Sequence, residues 1–327
     1  MSGLILREDQ RDDYDPQHAV PTNKGRYYSD PACDPDDPNR LLISVTNAID
    51  QHMIEALAPA AARDTAIWLM DNLPAAMRAA ADPDDLEAFI KEAKGQYRLQ
   101  WDKKADLGSR VHAIAEAINL GAPYIHDEEA EPFVDSYREF LTDFHVDMRP
   151  GRDIVAAECT VINRTIGYAG TSDIWAKLRF GRPTSPIVPK FRPRAVAADL
   201  IPTPDGLWLI DIKTSLTKAA SSVYDDYVMQ LAALRHAEVA LVCPPECRYG
   251  DTAGHDSSHE FEVPEFAGTA ILNLRTNGYG FIPLPADATA FEAFRGLLPL
   301  AHYVHGLELR GYKPIQPPTN TARRDAA

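Results

Sequence analysis

The chain lacks the features of a secreted or membrane-inserted protein. Its four cysteines are spread unevenly over 327 residues, too few for a disulfide framework. No apolar run approaches the length of a membrane span, and the N-terminus has no basic-then-apolar signal pattern. We find no internal repeat. These absences predict a cytoplasmic protein in a reducing compartment that makes no use of a membrane.

Positive charge is also scarce, with 33 Lys and Arg against 48 Asp and Glu, a net charge of −15. The sum argues against a nucleic-acid partner, but the distribution of charge does not. Residues 177–194 contain four prolines and no acid, which predicts a stiff, extended, basic loop suited to a phosphodiester. The alternative is a solvated connector. The cations of this loop are Lys177, Arg179, Arg182, Lys190, Arg192 and Arg194.

The organisation of the chain predicts an α/β fold with a helical N-terminal region. We expect a loosely ordered arm over residues 1–40, helices over 41–145, a core of strands and helices over 146–310, and a disordered tail over 311–327. Within the core we expect strands followed by a crossing helix and a hairpin: 152–162, 167–179, 195–201, 207–213, helix 221–236, and the turn Asn277-Gly278. This order predicts a mixed central sheet flanked by helices.

The run from Leu207 to Lys213 is the most informative segment, because it is an apolar strand that ends in an acid and a base. Side chains alternate along a strand, so Asp211 and Lys213 point to one face. The carboxylate can hold a divalent metal, and the amine can orient or deprotonate a water beside it. An isolated Asp-x-Lys triplet would more simply be an ion pair.

A second acid, Asp173, follows a glycine-bracketed segment and is separated from Asp211 by enough chain for two neighbouring strands. Two carboxylates on adjacent strands repel each other unless a cation lies between them, and this repulsion predicts a metal site. The alternative is an Asp that caps a turn.

Two helical segments add candidate residues. His112 and Glu116 are four residues apart and share a helix face, although such a histidine is more often a packing residue than a ligand. Tyr227 and Gln230 share a face of the helix after Lys213. Gln230 is either a satisfied core amide or a group that points into the cleft.

These segments, in this order, resemble the PD-(D/E)XK nuclease superfamily, in its RecB-like and lambda-exonuclease-like branch. The chain is also similar to phage-encoded exonucleases related to the CRISPR-associated adaptation nuclease. The match covers roughly residues 41–245 and consists of four short motifs: Gly108–His112, Gly170–Asp173, Asp211–Ser215 and Gln230. The resemblance implies a restriction-endonuclease-like fold.

The resemblance also implies roles for the matched positions. His112, Asp173, Asp211 and the backbone carbonyl of Ile212 would bind Mg²⁺ or Mn²⁺, with Glu158 as a second-rank ligand. Lys213 would position and activate the attacking water. Gln230 would contact that lysine or the DNA backbone, and Tyr227 would contact DNA. Asp173, Asp211, Lys213 and Gln230 form the expected catalytic set.

Two departures from the family pattern stand out. The position four residues after Gln230 is often Tyr in the family and is Leu234 here, so Tyr227 would have to supply that contact from the same face. Relatives with an iron–sulfur cluster carry three cysteines near the C-terminus, whereas here Cys243 and Cys247 stand without a third. We therefore expect no such cluster.

The function implied is a metal-dependent DNA nuclease, an exonuclease by analogy, in phage or bacterial recombination, repair or end processing. The implied partners are DNA and a single-strand annealing or recombination protein, in the host cytoplasm for a phage protein. Polarity, strandedness and oligomeric state stay open. Two alternatives remain: a catalytically silent DNA-binding or assembly module, and a hydrolase of small phosphoesters.

Overall fold

The computed structural model describes residues 16–34, 41–52, 57–149, 151–180, 203–241 and 259–310. Its strands belong to one ten-stranded sheet. The strands are β1 (Ala19–Thr22), β2 (Gly25–Ser29), β3 (Leu41–Ser44), β4 (Ile154–Asn163), β5 (Tyr168–Leu178), β6 (Gly206–Thr214), β7 (Val239–Leu241), β8 (Glu260–Glu262), β9 (Gly268–Arg275) and β10 (Gly278–Pro283). Most neighbours are antiparallel, but β3 with β5 and β6 with β9 are parallel pairs.

The helices cover both faces of this sheet. They are α1 (Val45–Ile49), α2 (Leu57–Asp71), α3 (Leu73–Ala79), α4 (Pro83–Leu120), α5 (Glu131–Asp143), α6 (Asp225–Arg235) and α7 (Ala288–Arg310). The predicted class, a mixed sheet flanked by helices, is confirmed. Within the described ranges, no helix is both long enough and apolar enough to cross a bilayer.

The alternation of side chains along β6 shows how the two cores are divided. Leu209 packs with residues of α1, α6 and α7 on one face. Trp208, Ile210 and Ile212 pack with residues of α4 and α5 on the other. Because β6 is buried on both faces, it reads as a nearly continuous apolar run, as expected of an inner strand.

Strand β5 has a fork along one of its edges. Residues 168–169 of β5 pair with β3, and residues 174–178 pair with β6. Residues 170–173 lie between these two pairings, next to neither strand. The fork leaves an opening in the sheet, and the sequence puts Gly170 and Asp173 at it. A Cβ at Gly170 would lie 2.9 Å from the side chain of Leu234 and 3.0 Å from that of Val45, so a larger residue there would have to displace these core side chains.

Helix α4 brings a histidine to this opening. Its start is capped by Asp82, whose carboxylate accepts hydrogen bonds from the backbone amides of Asp84 and Asp85, and Pro83 suits the first turn. Its end is closed by Gly121 in the left-handed conformation. With 38 residues the helix is about 57 Å long, and only its C-terminal third is packed on the sheet.

Three sequence-based predictions differ from the structure. The region expected to be helical over residues 41–145 begins with strand β3. The arm predicted over residues 1–40 contains the hairpin β1–β2, which joins the sheet through β3; residues 1–15 and 35–40 lie outside the described residues. Helix α6 begins at Asp225 instead of residue 221, because the side chain of Asn273 binds the carbonyls of Ala220 and Ser222. The strand predicted over 195–201 and the tail from 311 also lie outside the described residues.

The hairpin is held by a buried ion pair. Arg164, in the turn between β4 and β5, donates from Nε and Nη2 to the two carboxylate oxygens of Asp30 at 2.6 and 2.9 Å, and its other guanidinium edge binds Glu260. The Asp30 side chain is 1% exposed. These hydrogen bonds from Arg164 hold the pKa of Asp30 below its usual value.

We predict that Arg164→Met lowers the free energy of unfolding by about 2–3 kcal/mol at neutral pH, because it leaves Asp30 buried without a counter-charge. Since the pKa of Asp30 is lowered in the folded state, this stabilisation is present at neutral pH and is lost as the pH falls below about 4. Urea denaturation at several pH values measures both effects. The matched control is Arg295→Met, which removes an exposed pair with Glu292 and should cost under about 0.5 kcal/mol. Equal losses in the two variants would contradict the prediction.

Candidate metal site

Asp173 is built into the sheet at the fork. The β5–β6 ladder ends at the pair Ile174–Ile210. Beyond it, the amide of Ile212 donates to Oδ2 of Asp173 at 2.6 Å, so that a side chain replaces a backbone acceptor. The Asp173 side chain is only 8% exposed. The carboxylate is therefore fixed in position by the backbone of the neighbouring strand.

His112 meets two acids at this opening. Its Nδ1 lies 3.2 Å from Oε1 of Glu158 and 3.5 Å from Oδ2 of Asp173. The three residues each offer one ligand atom, and these atoms all lie within 4.8 Å of one another. An imidazole and two carboxylates at this spacing are a set of donors that can surround one cation.

The backbone at Glu158 is strained to bring its side chain here. Ala157 pairs with Ile174 and Cys159 with Ser172, so Glu158 lies opposite Asp173 across β4 and β5. Its φ is 46°, in the left-handed region that side chains other than glycine rarely adopt. Such strain costs on the order of 1–3 kcal/mol and clusters at functional sites. Glu158, a second-rank candidate from the sequence, is thus a full member of the compact group.

Asp211, Lys213 and Gln230 form a closed triangle beside this group. Lys213 Nζ lies 2.8 Å from Oδ2 of Asp211 and donates to Oε1 of Gln230 at 2.9 Å. Gln230 in turn donates to Oδ1 of Asp211 at 2.8 Å. The Asp211 side chain is 1% exposed, and among the described residues its Oδ2 has the ion pair but no aligned hydrogen bond.

Several buried carboxylates lie close together in the site and shift the pKa values of their neighbours. Burial raises the pKa of Asp173 well above its usual range; His112 lowers it, while Asp211 and Glu158 raise it further. Burial lowers the pKa of His112, but Asp173 and Glu158 together outweigh it and bring that pKa to about 9. The buried acids outnumber the neighbouring cations His112 and Lys213, and this excess of negative charge keeps a proton on the cluster.

Lys213 is held in its charged form. Burial lowers its pKa, but the neighbouring Asp211 and Asp173 raise it by more, and the net direction is upward. Its ammonium also lies 5.1 Å from the ring centroid of Tyr227. Of the two roles expected from the sequence, orienting a water or deprotonating it, the geometry favours the charged, orienting role.

One acid near the site was not among the predicted ligands. Burial and the charge of Glu158 raise the pKa of Glu116 to about 7. Glu116 lies one turn after His112 on α4, and this spacing in the sequence was the signal that could have identified it.

Some predicted site residues come together and others do not. Asp211 lies outside the compact group of His112, Glu158 and Asp173, although it is close enough to shift the pKa of both His112 and Asp173. The expected contact of Gln230 with the lysine is present. Ile212 takes part in the site through its amide, which donates to Asp173. The metal contact expected of its carbonyl stays a prediction.

The predicted DNA-contacting cations are described only in part. Lys177 is exposed on β5, four residues after Asp173. The guanidinium of Arg179 is paired with the buried Asp153 at 2.8 Å, so this predicted DNA contact already has an acidic partner in the fold. The remaining four, which lie outside the described residues, are Arg182, Lys190, Arg192 and Arg194.

The two departures from the family pattern also have outcomes. Leu234, at the position where the family often has Tyr, is fully buried in the core. Tyr227 lies against the Lys213 ammonium, and its contact with DNA stays a prediction. Cys243 and Cys247 lie outside the described residues. Cys159 is a free, buried thiol, and burial raises its pKa.

Comparison of the sequence with family models and with curated proteins identifies no relative. A scan against protein-family models found no family that matches the chain, and a search of curated proteins found no significant match. A functional assignment therefore depends on the geometry and chemistry of the site.

We predict that Glu158→Gly is more stable than Glu158→Ala by about 1 kcal/mol, because glycine adopts the left-handed backbone without strain and both variants lose the same carboxylate. Thermal and urea denaturation of the two variants, without added metal, provide the measurement. A control pair at Glu139, in the middle of α5, should give the opposite order, since glycine weakens a helix by about 1 kcal/mol. If Glu158→Gly were the less stable variant, the strain at this position would be refuted.

Proposed function

We propose that this protein is a metal-dependent DNA nuclease with a restriction-endonuclease-like core. The observation that carries the proposal is the meeting of His112, Glu158 and Asp173 at a fork in the sheet, directly beside the Asp211–Lys213 pair. The order of these residues along the chain is that of the PD-(D/E)XK superfamily, which the sequence resembles. An exonuclease remains our preference by analogy with that family.

The donor atoms fit a divalent cation. Two carboxylates and one imidazole suit Mn²⁺, and the oxygen atoms suit Mg²⁺. The buried Oδ2 of Asp211, with its single ion pair, is an additional oxygen close to the group. When bound, such an ion would activate a water and neutralise charge on the scissile phosphate.

The residues around this ion have separate tasks in the proposed reaction. His112, Glu158 and Asp173 would hold the cation, and Asp173 is kept in place by the amide of Ile212. Lys213 would orient the attacking water and offset the negative charge that develops on the phosphate. Asp211 and Gln230 fix the direction of the Lys213 ammonium through the triangle of contacts.

The two alternatives differ from this proposal in what they require. A catalytically silent DNA-binding module has no need for a backbone strained at Glu158 or for a lysine held charged beside the acids, and both features favour the enzyme. A hydrolase of small phosphoesters has no need for the basic segment 177–194. Neutralising that segment should impair the proposed nuclease and leave a small-phosphoester hydrolase unchanged.

We predict that Lys213→Ala and Asp211→Ala each lower the rate of DNA cleavage in Mn²⁺ by at least about 10²–10³-fold, because each removes the fixed positive charge or the group that holds it. End-labelled linear DNA and circular DNA, incubated with Mg²⁺, Mn²⁺ or EDTA, measure the rate and distinguish exonuclease from endonuclease action. Circular dichroism checks that the variants are folded.

Matched controls use the same substitutions at exposed positions of the described helices. Lys103→Ala on α4 and Asp135→Ala on α5 should leave cleavage within about twofold of the wild type. Wild-type rates in folded Lys213→Ala or Asp211→Ala protein would reject the assignment of the active site.

A further inference from the structure

The loop between β6 and α6, residues 215–224, presents exposed groups next to the site. Leu216 is 59% exposed and Tyr224 is 40% exposed, and Lys218 between them is also exposed. All three lie in the short loop that follows Lys213, the lysine that contacts Asp211. The proposed catalytic steps use none of these three side chains.

This loop is held rigidly from behind. Arg275 donates to the carbonyls of Lys213, Lys218 and Ala219 at 2.7 to 3.1 Å. Asn273 donates to the carbonyls of Ala220 and Ser222, both at 2.8 Å. At Gly280 a Cβ would collide with the carbonyl of Ala220, so the backbones pack in direct contact. The exposed side chains are therefore presented on a preorganised backbone.

A chain of ring contacts connects this loop to the reactive lysine. The Lys213 ammonium lies 5.1 Å from the ring centroid of Tyr227, and Tyr227 meets Tyr224 edge to face at 5.3 Å. Lys218 Nζ lies 5.7 Å from the ring centroid of Tyr224, and among the described residues Lys218 has no carboxylate within ion-pair distance. An exposed ring thus lies within two ring contacts of Lys213, next to a cation that has no carboxylate partner among the described residues.

A ring beside a cation is the recognition chemistry for one unpaired nucleotide. A base stacks on an aromatic ring whatever its identity, and a cation pairs with the adjoining phosphate. Bases inside a duplex are already stacked on their neighbours, so their faces are not accessible to such a ring. A lysine over a tyrosine could also be an ordinary surface pair, but the rigid support and the nearness of Lys213 indicate a binding function.

We propose that residues 215–224 bind an unpaired nucleotide adjacent to the scissile phosphate, with its base on Tyr224 and its phosphate on Lys218. This inference depends on the proposed nuclease function and deepens it, since it names single-stranded or frayed DNA as the substrate at the point of cleavage. The loop contributes to binding the substrate, while Lys213 and the metal-binding residues act on the phosphate.

The test uses single-stranded oligodeoxynucleotides in which one abasic site is moved stepwise along the strand. The probe removes a base and leaves the phosphate in place. With wild-type protein in Mn²⁺, kcat/KM should fall by about 5- to 150-fold when the abasic site reaches one position next to the cleaved bond, and little elsewhere. For the Tyr224→Ala variant, kcat/KM on the intact strand should already be lower than the wild-type value by this factor. The abasic site should then cause no further loss.

Further variants separate the ring from the charge. Tyr224→Phe keeps the ring and should retain wild-type behaviour. Lys218→Gln should weaken binding equally for intact and abasic strands and reduce the slope of log affinity against log salt by about 0.7, the value for one phosphate contact on a single strand. Tyr303→Ala, a change of the same kind on the exposed surface of α7, should have no effect.

The outcomes distinguish this inference from the proposed function. If the wild-type protein cleaves DNA but the abasic site has no effect at any position, or Tyr224→Ala loses equal activity on both strands, the nucleotide site is refuted while the nuclease stands. If the wild-type protein cleaves no DNA with either metal, the nuclease and this site are both refuted.

Discussion

The site depends on one constraint, the burial of several carboxylates where the sheet divides. Strand β5 has β3 beside one end and β6 beside the other, and Asp173 lies between the two pairings. There its carboxylate accepts a hydrogen bond from the amide of Ile212. In an uninterrupted ladder a backbone carbonyl would accept that bond. Glu158 is brought opposite it by strained backbone. Buried acids at this density are unfavourable without a cation, and this cost supports the proposal that the site holds a metal ion.

The charged residues of the site form two groups with different contacts. His112, Glu158 and Asp173 form the compact set that can surround an ion, while Asp211 and Gln230 direct the Lys213 ammonium. Helix α4 supplies the imidazole from one face of the sheet, strands β4, β5 and β6 supply the acids and the lysine, and helix α6 supplies Gln230 from the other face. Because the residues come from three layers of the fold, the site exists only when the whole core is assembled.

Local patterns predicted much of this arrangement, and non-local contacts account for the rest. Alternation along β6 predicts that Asp211 and Lys213 share a face. The structure shows them in contact as an ion pair, which was the simpler interpretation of this triplet. The sequence ranked Glu158 second because nothing local marks a left-handed φ at a glutamate in a strand. The sequence does not predict the hairpin β1–β2 because distant contacts support it, among them the pairing of Asp30 with Arg164, 134 residues further along the chain. Such distant pairings leave no periodic signal.

The central claim is that the fork binds a divalent cation, and the most direct measurement is Mn²⁺ in crystals of the protein, located by its anomalous scattering. We predict a peak in contact with His112, Glu158 and Asp173, and its loss in crystals of Asp173→Asn. Calorimetric titration of the same two proteins in solution should show binding by the wild type and a much weaker response in the variant. An ordered Mn²⁺ elsewhere with none at the fork, or equal binding by both proteins, would contradict the claim.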